Sequence, residues 1–269
     1  DPDCGAMQVL PISWAVPPKS GTPEKANASM IIKAIKDAAE YIQNGQAAAM
    51  VTNPIAKANL YEAGFTYPGH TEFLGSLCSP DKGAPLMMLA CDNLRVVPLT
   101  VHIPLADVAS RITPEAIIDA CHLIAKSLRQ FEQINDPHIA VCGLNPHAGE
   151  QGSMGQEDAT IIAPAIAILR AQNINVTGPY PADTLFHPKA RSKYDVALGM
   201  YHDQVLIPLK TIDFYGGVNI TLGLDFIRTS PDHGTGFDIA GQGLARPDSL
   251  IAAITQARRM ADSQATSNA

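Results

Sequence analysis

Val196-Ala-Leu-Gly-Met-Tyr-His-Asp-Gln204 is the stretch on which the fold turns. An apolar run ending in two chemically useful side chains reads as a buried strand that delivers a site at its carboxyl end. The pattern occurs twice more. Leu99-Thr-Val101 leads into His102, and Ile139-Ala-Val-Cys142 leads into Gly143-Leu-Asn-Pro-His147. In an open α/β sheet the carboxyl ends of parallel strands share one edge, where ligands bind. His102, His147 and His202 are therefore expected to converge on one divalent metal, for which neutral imidazole is a good ligand. The expectation rests on their shared context, because their separations are too long for a compact zinc-finger spacing.

Working outward, Gln8 to Ser13 suggests a short strand, followed by a Pro/Gly-rich connector through Pro23. Met30, Ile31, Ala34, Ile35, Ala38 and Ile42 recur at three and four, which predicts a helix from Glu24 to Asn44 with Gly45 as C-cap. Ala47 to Val51 reads as a buried strand, and Thr71 as the cap of a short helix through Cys78. Leu86–Cys91 and Arg95–Val101 read as strands joined by an Asp92-Asn93 turn. Thr113-Pro114-Glu115 is a helix start, with the helix expected to run to about Phe131. Further strands are expected at His138–Cys142, Val176–Pro179, Asp195–Tyr201 and Val218–Leu222. A connector is expected from Tyr201 to Phe214, and helices over Glu157–Gln172 and Asp248–Ala261 before a frayed tail. Strands alternating with helices predict an α/β class with a mainly parallel sheet.

The 269 residues allow one large or two modest domains, and 46% hydrophobic against 17% charged residues describes an ordinary globular composition. A formal charge of −7 argues against a nucleic-acid partner. No apolar run reaches membrane-spanning length, and Asp1-Pro-Asp-Cys-Gly5 shows no signal-peptide pattern, so a cytoplasmic location is expected. The five cysteines, Cys4, Cys78, Cys91, Cys121 and Cys142, are scattered and suit reduced, mostly buried thiols.

Other constellations carry chemistry. His70 in Gly69-His-Thr-Glu72 looks like a ligand contact, with Gly69 permitting close backbone approach. Asp183 and Asp203 follow strand-like runs and are candidate proton acceptors or partners of the histidines. Lys210, Asn219 and Arg228 suit a phosphate or carboxylate, against the plain alternative of surface charge. The loop Asp232-His-Gly-Thr-Gly-Phe-Asp-Ile-Ala-Gly-Gln-Gly243 offers main-chain amides to a flat or phosphorylated ligand, although it is not the Rossmann fingerprint. His122, His138 and His187 read as ordinary helix, strand and turn residues.

Thr52-Asn-Pro54, Gly69-His-Thr-Glu-Phe73, His102-Ile-Pro-Leu105, Gly143-Leu-Asn-Pro-His-Ala-Gly-Glu150, Pro181-Ala-Asp-Thr-Leu-Phe186, Met200-Tyr-His-Asp-Gln204, Gly217-Val-Asn-Ile-Thr-Leu-Gly-Leu224 and Phe226-Ile-Arg-Thr-Ser230 stand in one order. Together they resemble the 4-hydroxythreonine-4-phosphate dehydrogenase family of pyridoxine biosynthesis. The resemblance covers about residues 46–255. It implies a two-lobed α/β/α subunit of the isocitrate/isopropylmalate dehydrogenase-like fold, working as a homodimer with a shared active site. It implies that His102, His147 and His202 hold a zinc, magnesium or cobalt ion, one of them supplied by the partner subunit. His70, Thr71, Lys210, Asn219 and Arg228 would bind the phosphorylated hydroxy-amino-acid substrate, and His233, Gly234, Thr235 and Asp238 would bind NAD or NADP. The lobes are expected at residues 1–85 with 180–269 on the cofactor side, and 86–179 in a second lobe carrying the dimer interface. Family members normally begin with a strand and a Gly-Asp-Pro-Ala-Gly-Ile-Gly type turn, which residues 1–45 lack, so the first lobe is expected to be truncated at its N-terminus.

The implied reaction is metal-assisted oxidation of the substrate hydroxyl with hydride passing to the nicotinamide, then loss of carbon dioxide. Asp203 or Asp183 would accept the proton through water. Rival readings are a paralogue acting on another phosphorylated hydroxy acid or a dihydrodiol carboxylate, a catalytically inert metal-binding derivative, and a metal hydrolase that has no use for the glycine loop.

Overall fold

A computed structural model describes residues 8–67, 69–79 and 84–267. Cys4 and the start of the chain, read above for a signal peptide, lie outside the described residues, as do the last two residues of the tail.

The strands form one sheet: β1 (Met50–Val51), β2 (Leu86–Cys91), β3 (Leu94–Thr100), β4 (Ile139–Cys142), β5 (Val176–Tyr180), β6 (Val196–Tyr201), β7 (Val218–Leu222) and β8 (Arg228–Pro231). Their spatial order is β1-β8-β7-β2-β3-β6-β4-β5. The helices are α1 (Ala28–Gln43), α2 (Lys57–Tyr61), α3 (His70–Ser76), α4 (Val108–Arg111), α5 (Pro114–Glu132), α6 (Ala163–Ala171), α7 (Pro188–Arg191), α8 (His202–Ile212) and α9 (Asp248–Ser267). The α/β class holds, but the sheet is mixed. β3, β6, β4 and β5 run parallel and β1 pairs parallel with β8, while β2/β3, β2/β7 and β7/β8 are antiparallel. The hairpin through Asp92-Asn93 and the return from β7 to β8 reverse the chain without a helix, which forces antiparallel pairing there.

Alternation along β6 sets the layers. Val196, Leu198 and Met200 join a core with Ile117, Ile124 and Leu128 of α5, Ile166 and Leu169 of α6, and Ala253, Ala257 and Met260 of α9. Ala197 faces the other way, into a core with Val205, Leu206 and Leu209 of α8. Each of the valine, leucine, isoleucine and methionine side chains among these contributes about 1.5–3 kcal/mol on burial. A further cluster joins Ala28, Ile35 and Ala39 of α1, Leu60, Phe65, Phe73 and Leu74 to Leu224 and Phe226. Phe65 meets Phe73 edge-on, with centroids 5.0 Å apart.

Four local expectations are corrected. Gln8 to Ser13 forms no strand and is exposed. Gly69, not Thr71, is the N-cap of α3. The expected connector up to Phe214 is α8, which tolerates Pro208 in its interior. It packs directly on β6 because Gly199 has no side chain; a Cβ there would overlap Val205 Cγ1. The expected helix over 157–172 opens with a π-helical turn, Asp158–Ile162, before α6. By contrast Thr113 caps α5 as expected, its hydroxyl accepting from the Ala116 amide at 3.2 Å.

Candidate active site

Because β3, β6 and β4 are parallel and adjacent, the segments carrying His102, His202 and His147 all leave the same edge of the sheet. His102 and His202 are neighbours, with ring centroids 5.9 Å apart. Asp203 Oδ1 lies 2.7 Å from His202 Nδ1, which fixes that ring nitrogen as the one facing the carboxylate. Burial and then the Lys57 ammonium and His202 hold the pKa of His102 below its ordinary value.

A cleft of about 850 Å³ begins at this pair. His70 and Thr71 of α3, Lys210 of α8, Asn219 of β7 and Arg228 of β8 line it, with His233, Gly234 and Thr235 at its far side. Arg228 is 4% exposed. Its Nε and Nη2 donate to Thr52 Oγ1 at 3.1 and 2.6 Å, and its Nη1 donates to Thr221 Oγ1 at 3.0 Å. Among the described residues no carboxylate pairs with it. Burial lowers its pKa to about 10, which leaves it cationic at neutral pH. A buried cation satisfied only by hydroxyls makes a strong anion site. His70 Nε2 and Asn219 Oδ1 are also buried in the cleft wall without a hydrogen-bond partner. Burial, then Arg228, then Lys57, lowers the pKa of His70 to about 4, so its ring is neutral. Lys210 is held by Asp232 at 2.8 Å and rests 5.6 Å from the Phe214 ring centre.

The cleft continues past Asn53 and the His233–Thr235 segment into a second hollow of about 420 Å³, walled by Trp14, Ile31, Asn59 and Phe237. Asp238 sits in the adjoining turn, where its carbonyl accepts from Gln242 Nε2 at 2.6 Å. A third hollow, of about 410 Å³, flanks the histidine pair and is lined by Ile103, Leu105, Val108 and Asp203.

His147 and Asp183 line none of these hollows. Among the described residues no three His, Cys, Asp or Glu side chains of one chain gather as a metal-binding group. His147 sits instead on a left-handed turn. His147, Ala148, Gly149, Glu150 and Gln151 have φ of 54°, 51°, 80°, 39° and 57°. That conformation costs roughly 1–2 kcal/mol for each residue bearing a Cβ, so the surroundings must impose it. Asp183 lies exposed in a short turn after β5. His122 and His138 are used structurally, His122 against Gln172 and His138 between Lys193 O and Thr177. Sequence reasoning missed Lys57 and Trp14, and it missed the parts that Thr52, Thr221 and Asp232 play as partners of Arg228 and Lys210. The block Thr52-Asn-Pro54 was a signal for Thr52, but not for its bond to Arg228.

A deep anion pocket, a pair of imidazoles and a glycine-rich loop along one edge of an α/β sheet describe an enzyme site for a small anionic ligand. The comparisons narrow that class. The model of the pyridoxal phosphate biosynthetic protein PdxA matches residues 2–257, and the chain belongs to this family. It is similar to the 4-hydroxythreonine-4-phosphate dehydrogenase of Caulobacter vibrioides, 54% identical over 260 residues, 95% of this chain and 78% of the relative. The crystal structure of 4-hydroxythreonine-4-phosphate dehydrogenase from Klebsiella pneumoniae superposes with a TM-score of 0.83 at 40% identity, covering 94% of this chain and 76% of that one. A terephthalate 1,2-cis-dihydrodiol dehydrogenase from Burkholderia xenovorans follows at TM-score 0.67 and 28% identity, covering 96% and 85%. No helix among the described residues is long and apolar enough to cross a membrane.

Proposed function

We propose that this chain oxidises 4-hydroxythreonine 4-phosphate with NAD or NADP and releases carbon dioxide, yielding 3-amino-2-oxopropyl phosphate for pyridoxal phosphate synthesis. The observation that carries the reading is Arg228, a buried guanidinium with no carboxylate partner among the described residues, opening on the cleft that holds His102 and His202. Lys210, Asn219, His70 and Thr71 complete a pocket whose charge suits a phosphate.

The residues fit a divalent ion. His102 and His202 supply two imidazoles, and the hollow beside them leaves room for a third, which we assign to His147 of a partner subunit in a homodimer. An all-imidazole set favours zinc or cobalt over magnesium. When bound, the ion supplies Lewis-acid polarisation of the substrate hydroxyl, and a nicotinamide held by His233, Gly234, Thr235 and Asp238 supplies the hydride acceptor.

The chain's own groups do the rest. Arg228 and Lys210 anchor the phosphate, which fixes the reacting carbon relative to the imidazoles. His70, being neutral, offers a hydrogen bond without competing for the anion. Asp203, or Asp183 brought by the partner subunit, takes the hydroxyl proton through water. The new carbonyl then accepts the electron pair of the carbon–carbon bond as carbon dioxide leaves. The cluster of α1, α2 and α3 with Leu224 and Phe226 favours one lobe for residues 28–78 and 224–226, within the expected cofactor-side lobe of residues 1–85 and 180–269, although β6 and α9 share their core with α5 and α6. Residues 86–179 would then form the second, interface-bearing lobe.

Formation of NADH from the phosphorylated substrate, with zinc, cobalt and magnesium compared, tests the reading. Turnover should need the phosphate; equal rates with dephosphorylated hydroxythreonine would overturn it. The Burkholderia xenovorans neighbour motivates a second reading, because an arginine pocket also takes a carboxylate. Preference for a cis-dihydrodiol carboxylate in the same assay would establish it.

A further inference from the structure

Asp158 is 2% exposed, yet no cation pairs with it among the described residues. Its carboxylate is instead surrounded by N–H groups from the loop after β4. Oδ1 accepts from the Leu144 amide at 2.8 Å, and Oδ2 accepts from the Asn145 amide at 3.2 Å and from Asn145 Nδ2 at 2.9 Å. The second Nδ2 hydrogen of Asn145 reaches Glu157 Oε2 at 2.8 Å. Two glycines make room for this arrangement. A Cβ on Gly143 would stand 2.5 Å from Asp158 Oδ1 and 2.9 Å from Ala148 Cα, and one on Gly149 would stand 3.3 Å from the Asp158 side chain. The carboxylate thus fills the hollow of the loop, immediately before the left-handed run that begins at His147. The π-helical turn Asp158–Ile162 gives the aspartate its place at the head of the following helix.

The loop is tied on its other side as well. The Gly143 amide donates to Tyr180 O at 2.8 Å, and Gln204 Nε2 donates to Gly143 O at 2.7 Å. Nothing in the intrinsic preferences of His147, Ala148, Glu150 or Gln151 favours positive φ. The geometry around them must hold it. Gln204 ties only the Gly143 carbonyl, whereas the Asp158 bonds take up Leu144 and Asn145, the residues that lead into the turn. We infer that Asp158 is a positioning residue, whose buried carboxylate holds the left-handed turn that presents His147 as a metal ligand to the partner subunit's cleft. This rests on the reading above that His147 is a ligand.

The test is a titration of the full chain with cobalt(II), followed by its visible absorption, for wild type, His147→Ala, Asp158→Asn and Asn145→Ala. Asp158→Asn keeps the shape of the side chain but replaces one acceptor by a donor facing N–H groups. It should weaken cobalt binding about 10–100-fold and alter the band shape, as loss of a ligand's supporting partner does. NAD binding, at the far end of the cleft, should be unchanged. Asn145→Ala removes one of the three bonds to Asp158, together with the bond to Glu157, and should give a smaller weakening with the same spectral change. A general loss of stability would leave the spectrum of the folded fraction as in wild type. Should Asp158→Asn fail to fold, Asn145→Ala decides, and an unaltered affinity and spectrum there overturn the proposal. If His147→Ala loses cobalt while Asp158→Asn keeps wild-type affinity and spectrum, the positioning role alone is wrong. If His147→Ala binds cobalt like wild type, the ligand reading is wrong and this inference goes with it.

Discussion

Thr52 Oγ1 receives two N–H groups of Arg228, at 2.6 and 3.1 Å, across 176 residues of sequence. β1 and β8 run parallel with Met50 opposite Arg228, and this register brings hydroxyl and guanidinium together. The threonine aims the arginine without neutralising it, so the positive charge is left for the ligand. Thr52→Val should raise KM for the phosphorylated substrate about tenfold, and Arg228→Gln about 10–100-fold, as charged hydrogen bonds worth about 1.5–3 kcal/mol are lost. Steady-state kinetics with phosphorylated and dephosphorylated substrate check this. A loss of the same size on both would mean that the pair serves folding alone.

His70 makes stability depend on pH. Its folded pKa of about 4 lies below its ordinary value of 6.5. Between these values the unfolded chain binds more protons than the folded one, so stability falls as pH drops from about 6.5 towards 4 and is unaffected by this group above that window. The full effect is on the order of 3 kcal/mol. Thermal melting across that range should be steeper for wild type than for His70→Gln. Parallel curves would show that the imidazole is not desolvated.

Trp14 is the single tryptophan of the chain and lies in the wall of the hollow beyond His233, 45% exposed. Adding NAD should therefore change its emission, with a midpoint matching the affinity found by calorimetry. Calorimetric saturation with constant emission would place the dinucleotide elsewhere.

Glu132, whose side chain is 5% exposed, ends α5 and receives Arg95 of β3 at 2.8 Å and Arg259 of α9 at 3.1 Å, while Gln256 Nε2 donates to its other oxygen. Glu132→Ala leaves Arg95 without its carboxylate and should cost about 2–3 kcal/mol. Denaturant unfolding should show this with KM unchanged, since the cluster lies away from the cleft.

How much was legible follows from where the signal resides. The runs before His102, His147 and His202 are apolar because both faces of the sheet are covered, so strand and carboxyl end could be read together. α8 reads as a connector because Pro208 interrupts it, although Val205, Leu206 and Leu209 carry helical spacing. β8 was missed because Arg228-Thr-Ser-Pro231 is polar; those residues are buried around an anion pocket and carry no apolar pattern. The mainly parallel sheet was legible, four of the seven strand pairings being parallel, but its antiparallel part around β7 and β8 was not, because those strands turn back without a helix. The turn at His147 contradicts local preference and is imposed by Asp158, eleven residues on, which no local pattern could reveal. Lys210, Asn219 and Arg228 were grouped from their chemistry, but the hydroxyls that hold Arg228 arise from strand register, and Asp232 meets Lys210 only because α8 packs beside the end of β8.

The order of strands also governs how the protein can be made. As the chain leaves the ribosome, the hairpin of β2 and β3 can form early, but its two flanks stay bare. The β3 flank waits for residues 196–201, the β2 flank waits for β7 at residues 218–222, and β1 waits for β8 at residues 228–231. The sheet can therefore close only after residue 231 has been synthesised. Until then unpaired edges are open to other nascent chains, so yield in the cell should depend on chaperone capacity and on translation speed.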